Sequence, residues 1–156
     1  MRSINTWLNE YAREHQHPQN QLIHWICVPL IVWSLIALLW SWPLPSVGPI
    51  AGVQPNWAMP VTALALVYYL RLSWSLGLGL LVFLLLLMGL CHLLQTSAPW
   101  PLWQIAVAVF VLAWVGQFIG HHIEGKRPAF FQDLQFLLIG PAWVIAKIYR
   151  QLGWRY

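Results

Sequence analysis

The chain has 156 residues, of which only eight are basic and four acidic, while 60% are hydrophobic and 12 are tryptophan. A soluble domain carries about 25% charged residues to cover its surface, against 8% here. This excludes a soluble enzyme, a disordered chain and a nucleic-acid-binding module, because a pI near 9.4 rests on a net charge of only +4.

The charges sit in residues 2–14, at Arg71 and in residues 124–155. The uncharged runs between them, 15–70 and 72–123, each hold two membrane spans of roughly 20 residues and a connection. The expected fold is therefore an all-α integral membrane protein, one domain over 1–156 with about four transmembrane helices.

In chain order, a polar arm comes first, helical up to Gln16, with Glu10 and Glu14 where a cleavable signal would need an apolar core. His17-Pro18 breaks that helix, and Pro18 suits the first turn of the next. Span one is expected over 22–42. A loop rich in Pro and Gly follows over 43–57, then a short span two over 58–71, closed by Arg71. A tight turn leads to span three, 76–95, and a second loop to span four, 102–120. Trp40, Trp42, Trp57, Trp74, Trp100 and Trp103 mark the ends, as an aromatic belt would. The last apolar stretch, 134–146, is interrupted by Gly140-Pro141. It is too short for a ~30 Å hydrocarbon core, so 129–148 reads as a re-entrant or interfacial helical segment. Cys27 and Cys91 fall near opposite faces, which predicts two buried thiols and no disulfide.

With four spans, every basic residue falls on one side, which the positive-inside rule assigns to the cytoplasm together with both termini. Short loops and the absence of a retention tail point to a bacterial inner membrane.

The same face collects histidines. His15, His17 and His24 start span one; His121 and His122 end span four; His92 lies near the other face. Imidazoles with one carboxylate suit iron or zinc. Asn20 and His24 share a helix face at i,i+4, as do Tyr11 and His15; His121 and Glu124 are i,i+3. The candidate metal ligands are His15, His24, His121 and Glu124, with His122 and His17 as further candidates. Tyr11, Asn20, Gln117, Lys126 and Arg127 are candidates for supporting the ligands or holding substrate, the two cations by neutralising an anionic head group. The competing structural readings are interfacial anchors for the histidines, an ion pair of Glu124 with Lys126 or Arg127, and an ordinary cytoplasmic flank for the cations.

Two motifs carry a resemblance. One is Tyr11-x3-His15-x2-Pro18-x-Asn20-x3-His24-x4-Pro29. The other is Gln117-x2-Gly120-His121-x2-Glu124-Gly125-x-Arg127-Pro128-Ala129. Together they resemble the family of small multi-pass membrane proteins that includes the fungal 2-hydroxy fatty acid dioxygenase. The resemblance covers nearly the whole chain; over 43–100 it lies only in hydrophobicity. It implies iron(II)-dependent alpha-oxidation, in which a 2-hydroxy fatty acid loses one carbon to molecular oxygen. It also implies that His15, His24 and His121 bind Fe(II), supported by Asn20, Glu124 and Arg127. In one departure, the family often has Gly where Cys27 stands. The partners expected are the 2-hydroxy fatty acid, oxygen and the lipid bilayer. The competing functions are another lipid-modifying metal enzyme, or a non-enzymatic small membrane transporter or lipid-binding protein. The single His-His pair falls short of the histidine boxes of membrane desaturases, and spans three and four lack the polar mid-membrane residues of a transport path.

Overall fold

A computed structural model describes residues 4–45, 47–50, 52–125 and 138–156. Six helices are described: α1 (Ile4–Glu14), α2 (Pro18–Trp40), α3 (Ala58–Leu72), α4 (Trp74–Ser97), α5 (Leu102–Ile123) and α6 (Ile139–Gln151). No strand occurs among the described residues, only isolated bridges within the loop after α2.

Local chemistry explains the boundaries. His17 caps α2 in an extended conformation, its Nδ1 accepting from Gln19 N, and Pro18 follows at the first helical position, where its missing N–H costs nothing. Ser73 is extended and serves two helices. Its backbone N–H closes α3 on Tyr69 O, and its hydroxyl accepts from Leu76 N to open α4. Gly77 then lets α4 fold back tightly, since a Cβ there would meet Leu70.

Three helices are long and apolar enough to cross a bilayer: α2, α4 and α5. α3, expected as a fourth span, is apolar but has 15 residues, about 22 Å at ~1.5 Å per residue. The apolar surface fits a lipid solvent. Leu86 and Leu112 are 67% and 71% exposed, on helices with almost no polar group between their ends. Cys27 and Cys91 are buried free thiols, as expected.

α2 and α5 form the most extensive helix pair. Two glycines of α5 make it close. A Cβ at Gly116 would lie 2.6 Å from Cys27 Sγ, and one at Gly120 would collide with the Asn20 amide. The thiol at 27 therefore does not push the helices apart, because the small residue sits opposite it. α6 packs on α1 and α4 rather than lying at the margin, with Ile139, Pro141, Trp143 and Ile145 buried. Residues 126–137, including the first part of the segment expected over 129–148, lie outside the described residues.

The packing predicts a position-specific cost. Gly116→Ala should destabilise the protein by about 1–3 kcal/mol through overpacking. Gly89→Ala, with nothing within 4 Å of the added Cβ, should be neutral or stabilising. Thermal unfolding in detergent compares them, and equal melting temperatures would contradict the close α2–α5 contact.

Candidate metal centre

The site is assembled from three chain segments at one end of the bundle. His15 lies in the link between α1 and α2, His24 in the second turn of α2, and His121 in the last turn of α5. Their side chains are 2%, 3% and 6% exposed. Ring centroids are 4.1 Å apart for His15 and His24, 5.1 Å for His24 and His121, and 5.6 Å for His15 and His121. One ring nitrogen from each lies within 4.8 Å of the others, so the trio could hold a metal ion.

The outer nitrogens are held. His15 Nδ1 is 2.8 Å from Tyr11 O. A carbonyl only accepts, so Nδ1 carries the proton and a neutral ring leaves its Nε2 lone pair available. Tyr11 Oη is 3.1 Å from His24 Nδ1. The Tyr11 ring stacks on His15 at 4.2 Å and tilts against Trp143 of α6 at 5.2 Å. The Nε2 atoms of His15, His24 and His121 are buried and enter no hydrogen bond. A buried imidazole nitrogen with no hydrogen bond is costly unless something binds it. These atoms therefore fit a cation that accepts nitrogen lone pairs.

Glu124 was expected among the ligands, and its carboxylate is used differently. Its oxygens accept from Gln16 N at 2.9 Å, His17 N at 2.9 Å and Asn20 Nδ2 at 2.8 Å. It caps the start of α2 from the end of α5, and it is not part of the three-histidine group. Asn20 is fully buried; its amide orientation follows from the carboxylate, which needs a donor, and its oxygen is set against Gly120. Burial works to raise the Glu124 pKa. The hydrogen bonds from Asn20, His17 and Gln16, with the field of His15, outweigh it and hold the carboxyl below its usual range.

The other expected residues separate clearly. Tyr11 and Asn20 are built into the site. Gln117 is buried one turn before His121. His17 is exposed and occupied as the α2 cap, and His122 is exposed. His92 is exposed and borders Trp40, far along the chain from the cluster. Lys126 and Arg127 lie outside the described residues. The sequence reading missed Gln21 and Lys147. Gln21 Nε2 donates to His15 O at 2.9 Å, and Lys147 Nζ donates to Gln21 Oε1 at 2.9 Å. Lys147 also lies over the Trp25 and Trp143 rings. Only the spacing of Gln21 one turn before His24 hinted at this, and nothing linked it to residue 147.

A family model described as Mpo1-like, 2-hydroxy-palmitic acid dioxygenase Mpo1-like, matches residues 1–152. The chain belongs to this Mpo1-like family. It is 27% identical over 154 residues to the 2-hydroxy-palmitic acid dioxygenase MPO1 of Saccharomyces cerevisiae, covering 96% of this chain and 82% of that relative. No solved structure matches. The Mpo1-like match spans all three segments that build the histidine group, so the group belongs to the matched region.

A depressed carboxyl pKa stabilises the fold above the unfolded value, and the effect is lost as pH falls through the folded value. Thermal stability should therefore drop as pH falls below the ordinary Glu range near ~4.3. Glu124→Gln should be less stable at neutral pH and flatter across that acid window. Parallel pH profiles for the two proteins would show that Glu124 does not brace the α2–α5 junction.

Proposed function

We propose that the protein is an iron(II)-dependent dioxygenase that shortens 2-hydroxy fatty acids by one carbon. The observation that carries the reading is the buried convergence of His15, His24 and His121 at one end of an otherwise apolar bundle, in a chain of the Mpo1-like family. The proposed ligand set is these three imidazoles through Nε2. Three protein ligands leave coordination positions for substrate and oxygen. Iron, when bound, supplies a Lewis acid and a one-electron centre for reaction with oxygen.

The protein's own groups set up that chemistry. Tyr11 O fixes the His15 ring, and in the ligating form His24 Nδ1–H donates to Tyr11 Oη. Asn20 and Glu124 lock α5 to the start of α2, which holds His24 and His121 together with their rings edge to face. Trp143 and Tyr11 cover the cluster and exclude water. Lys126 and Arg127, directly after Gly125 in sequence, are proposed to neutralise the substrate carboxylate. In the overall reaction the C1–C2 bond breaks. C2 becomes the new carboxyl carbon and C1 leaves as carbon dioxide. The electrons lost equal those that one dioxygen accepts on forming water and the new acid, so no external reductant is needed.

The proposed setting is a bacterial inner membrane, with the histidine end and both termini at the cytoplasmic face. The placement of every basic residue on that side favours this orientation.

Purified protein given Fe(II), air and a 2-hydroxy fatty acid should release the acid one carbon shorter and carbon dioxide. His24→Ala and His121→Ala should lose both bound iron and turnover, while His92→Ala keeps both. Tyr11→Phe should cost roughly 10–100-fold in metal affinity or turnover by freeing His24 Nδ1. Iron retained by both histidine variants would sink the ligand assignment; absence of the shortened acid from iron-loaded protein would sink the activity.

A further inference from the structure

A half-open apolar cavity of about 460 Å³ lies between α2, α3 and α4, bounded at one end by the start of α6. Val32, Leu35, Ile36 and Leu39 line it from α2, with Val61, Ala65 and Tyr69 from α3. Leu80 and Leu84 of α4, and Leu138 and Pro141, complete the wall. Its two polar side chains turn away. Thr62 Oγ1 donates to Ala58 O, and Tyr69 Oη donates to Leu138 O. The cavity thus offers no hydrogen bond and suits a hydrocarbon chain.

Its position is tied to the histidine cluster. His24, Val28, Val32, Leu35 and Leu39 follow one stripe of α2 at i, i+4, i+8, i+11 and i+15. The stripe runs about 22 Å from the cluster past Val28, and its last part, Val32 to Leu39, is cavity wall over about 10 Å. Gly140 stands at a neck that its packing on Val28 closes. A Cβ there would lie 3.0 Å from Val28 Cγ1 and 3.6 Å from Tyr11 Oη, the group bonded to His24. The next residue, Pro141, already lines the cavity. One residue layer separates the two spaces, and glycine keeps it thin. The far end is marked by Trp42 and Val61, beside the loop after α2.

We propose that this cavity is the acyl-chain site and that its length sets substrate chain length. The inference rests on the proposed dioxygenase reading. The head group would sit at His15, His24 and His121, and substrate binding would part the thin Val28 and Gly140 layer so that the tail runs toward Trp42. Long chains would be preferred because short ones leave the far part of the cavity unfilled. Ala65 lies one helical turn nearer the neck than Val61. A bulky side chain at 65 should therefore truncate the site more than one at 61.

Two measurements test this on the full-length protein in nanodiscs. In the first, a 2-hydroxy fatty acid carrying a diazirine near its methyl end is photolysed and its adducts are located by peptide mass spectrometry. Adducts should fall in 35–42 and 61–65, and unlabelled 2-hydroxypalmitic acid should suppress them. Adducts elsewhere would overturn the proposal. So would equal labelling by a diazirine phosphatidylcholine that 2-hydroxypalmitic acid does not displace, since bulk lipid would then fill the cavity. In the second, Val61→Trp and Ala65→Trp are compared with wild type for turnover of acids of graded length, with iron content as the check on folding. The longest acids should lose roughly tenfold or more, Ala65→Trp should shift the optimum to shorter chains than Val61→Trp, and short acids should be spared. An unchanged length profile with normal turnover would overturn the acyl site and leave the activity standing. Displaceable labelling of the cavity without any shortened product would do the reverse.

Discussion

The close approach of α2 and α5 is the constraint on which the site depends. Two residues without side chains, Gly116 and Gly120, let α5 lie against Cys27 and Asn20. With larger residues there the helices would separate, and His24 and His121 would no longer meet. Van der Waals packing of this kind is what holds helices together in lipid, where burial of apolar surface gains nothing. The contact ends in a polar clasp. Asn20 donates to Glu124, and Glu124 also takes the free backbone N–H groups of Gln16 and His17 at the chain reversal before α2. The same clasp places His15, which has no helix of its own to fix it.

Around that pair, the short helices complete the centre. α1 supplies Tyr11, which touches His15 by stacking and His24 by a hydrogen bond. α6 backs Tyr11 with Trp143 and reaches His15 O through Lys147 and Gln21. Burial lowers the Lys147 pKa, as does Arg150, while two indole faces and an amide oxygen stabilise its charge. The arrangement explains why a helix too short to span a bilayer is buried in protein from Ile139 to Ala146. It seals one end of the bundle, where Gly140 and Pro141 leave one thin layer between the histidine cluster and the apolar cavity beside it.

Glu124 shows why residue type alone does not assign a role. Its spacing from His121 suits a ligand, and its chemistry suits iron. In the fold, three donors reach its two oxygens before any metal could. Its carboxylate thus acts as a helix cap between segments far apart in sequence, held by charge-assisted hydrogen bonds.

The amino-acid sequence by itself determined the solvent, the helical class and the end of the molecule where polar chemistry gathers. Charge scarcity and apolar run length are local properties that lipid reads directly, so α2, α4 and α5 fall close to their expected limits. The break at His17-Pro18 was legible for the same reason, since proline acts on its own residue and its neighbours. The pairing of His15 and His24 with His121 was legible only as a shared face. Tertiary structure decided the rest, because the deciding distances run between residues about a hundred positions apart. It selected three histidines from six, turned Glu124 and His17 into caps, brought Lys147 to Gln21, and opened a cavity along the His24 face of α2. No periodicity within one helix records which groove its neighbour fills, and that choice separates the converging histidines from the bracing residues.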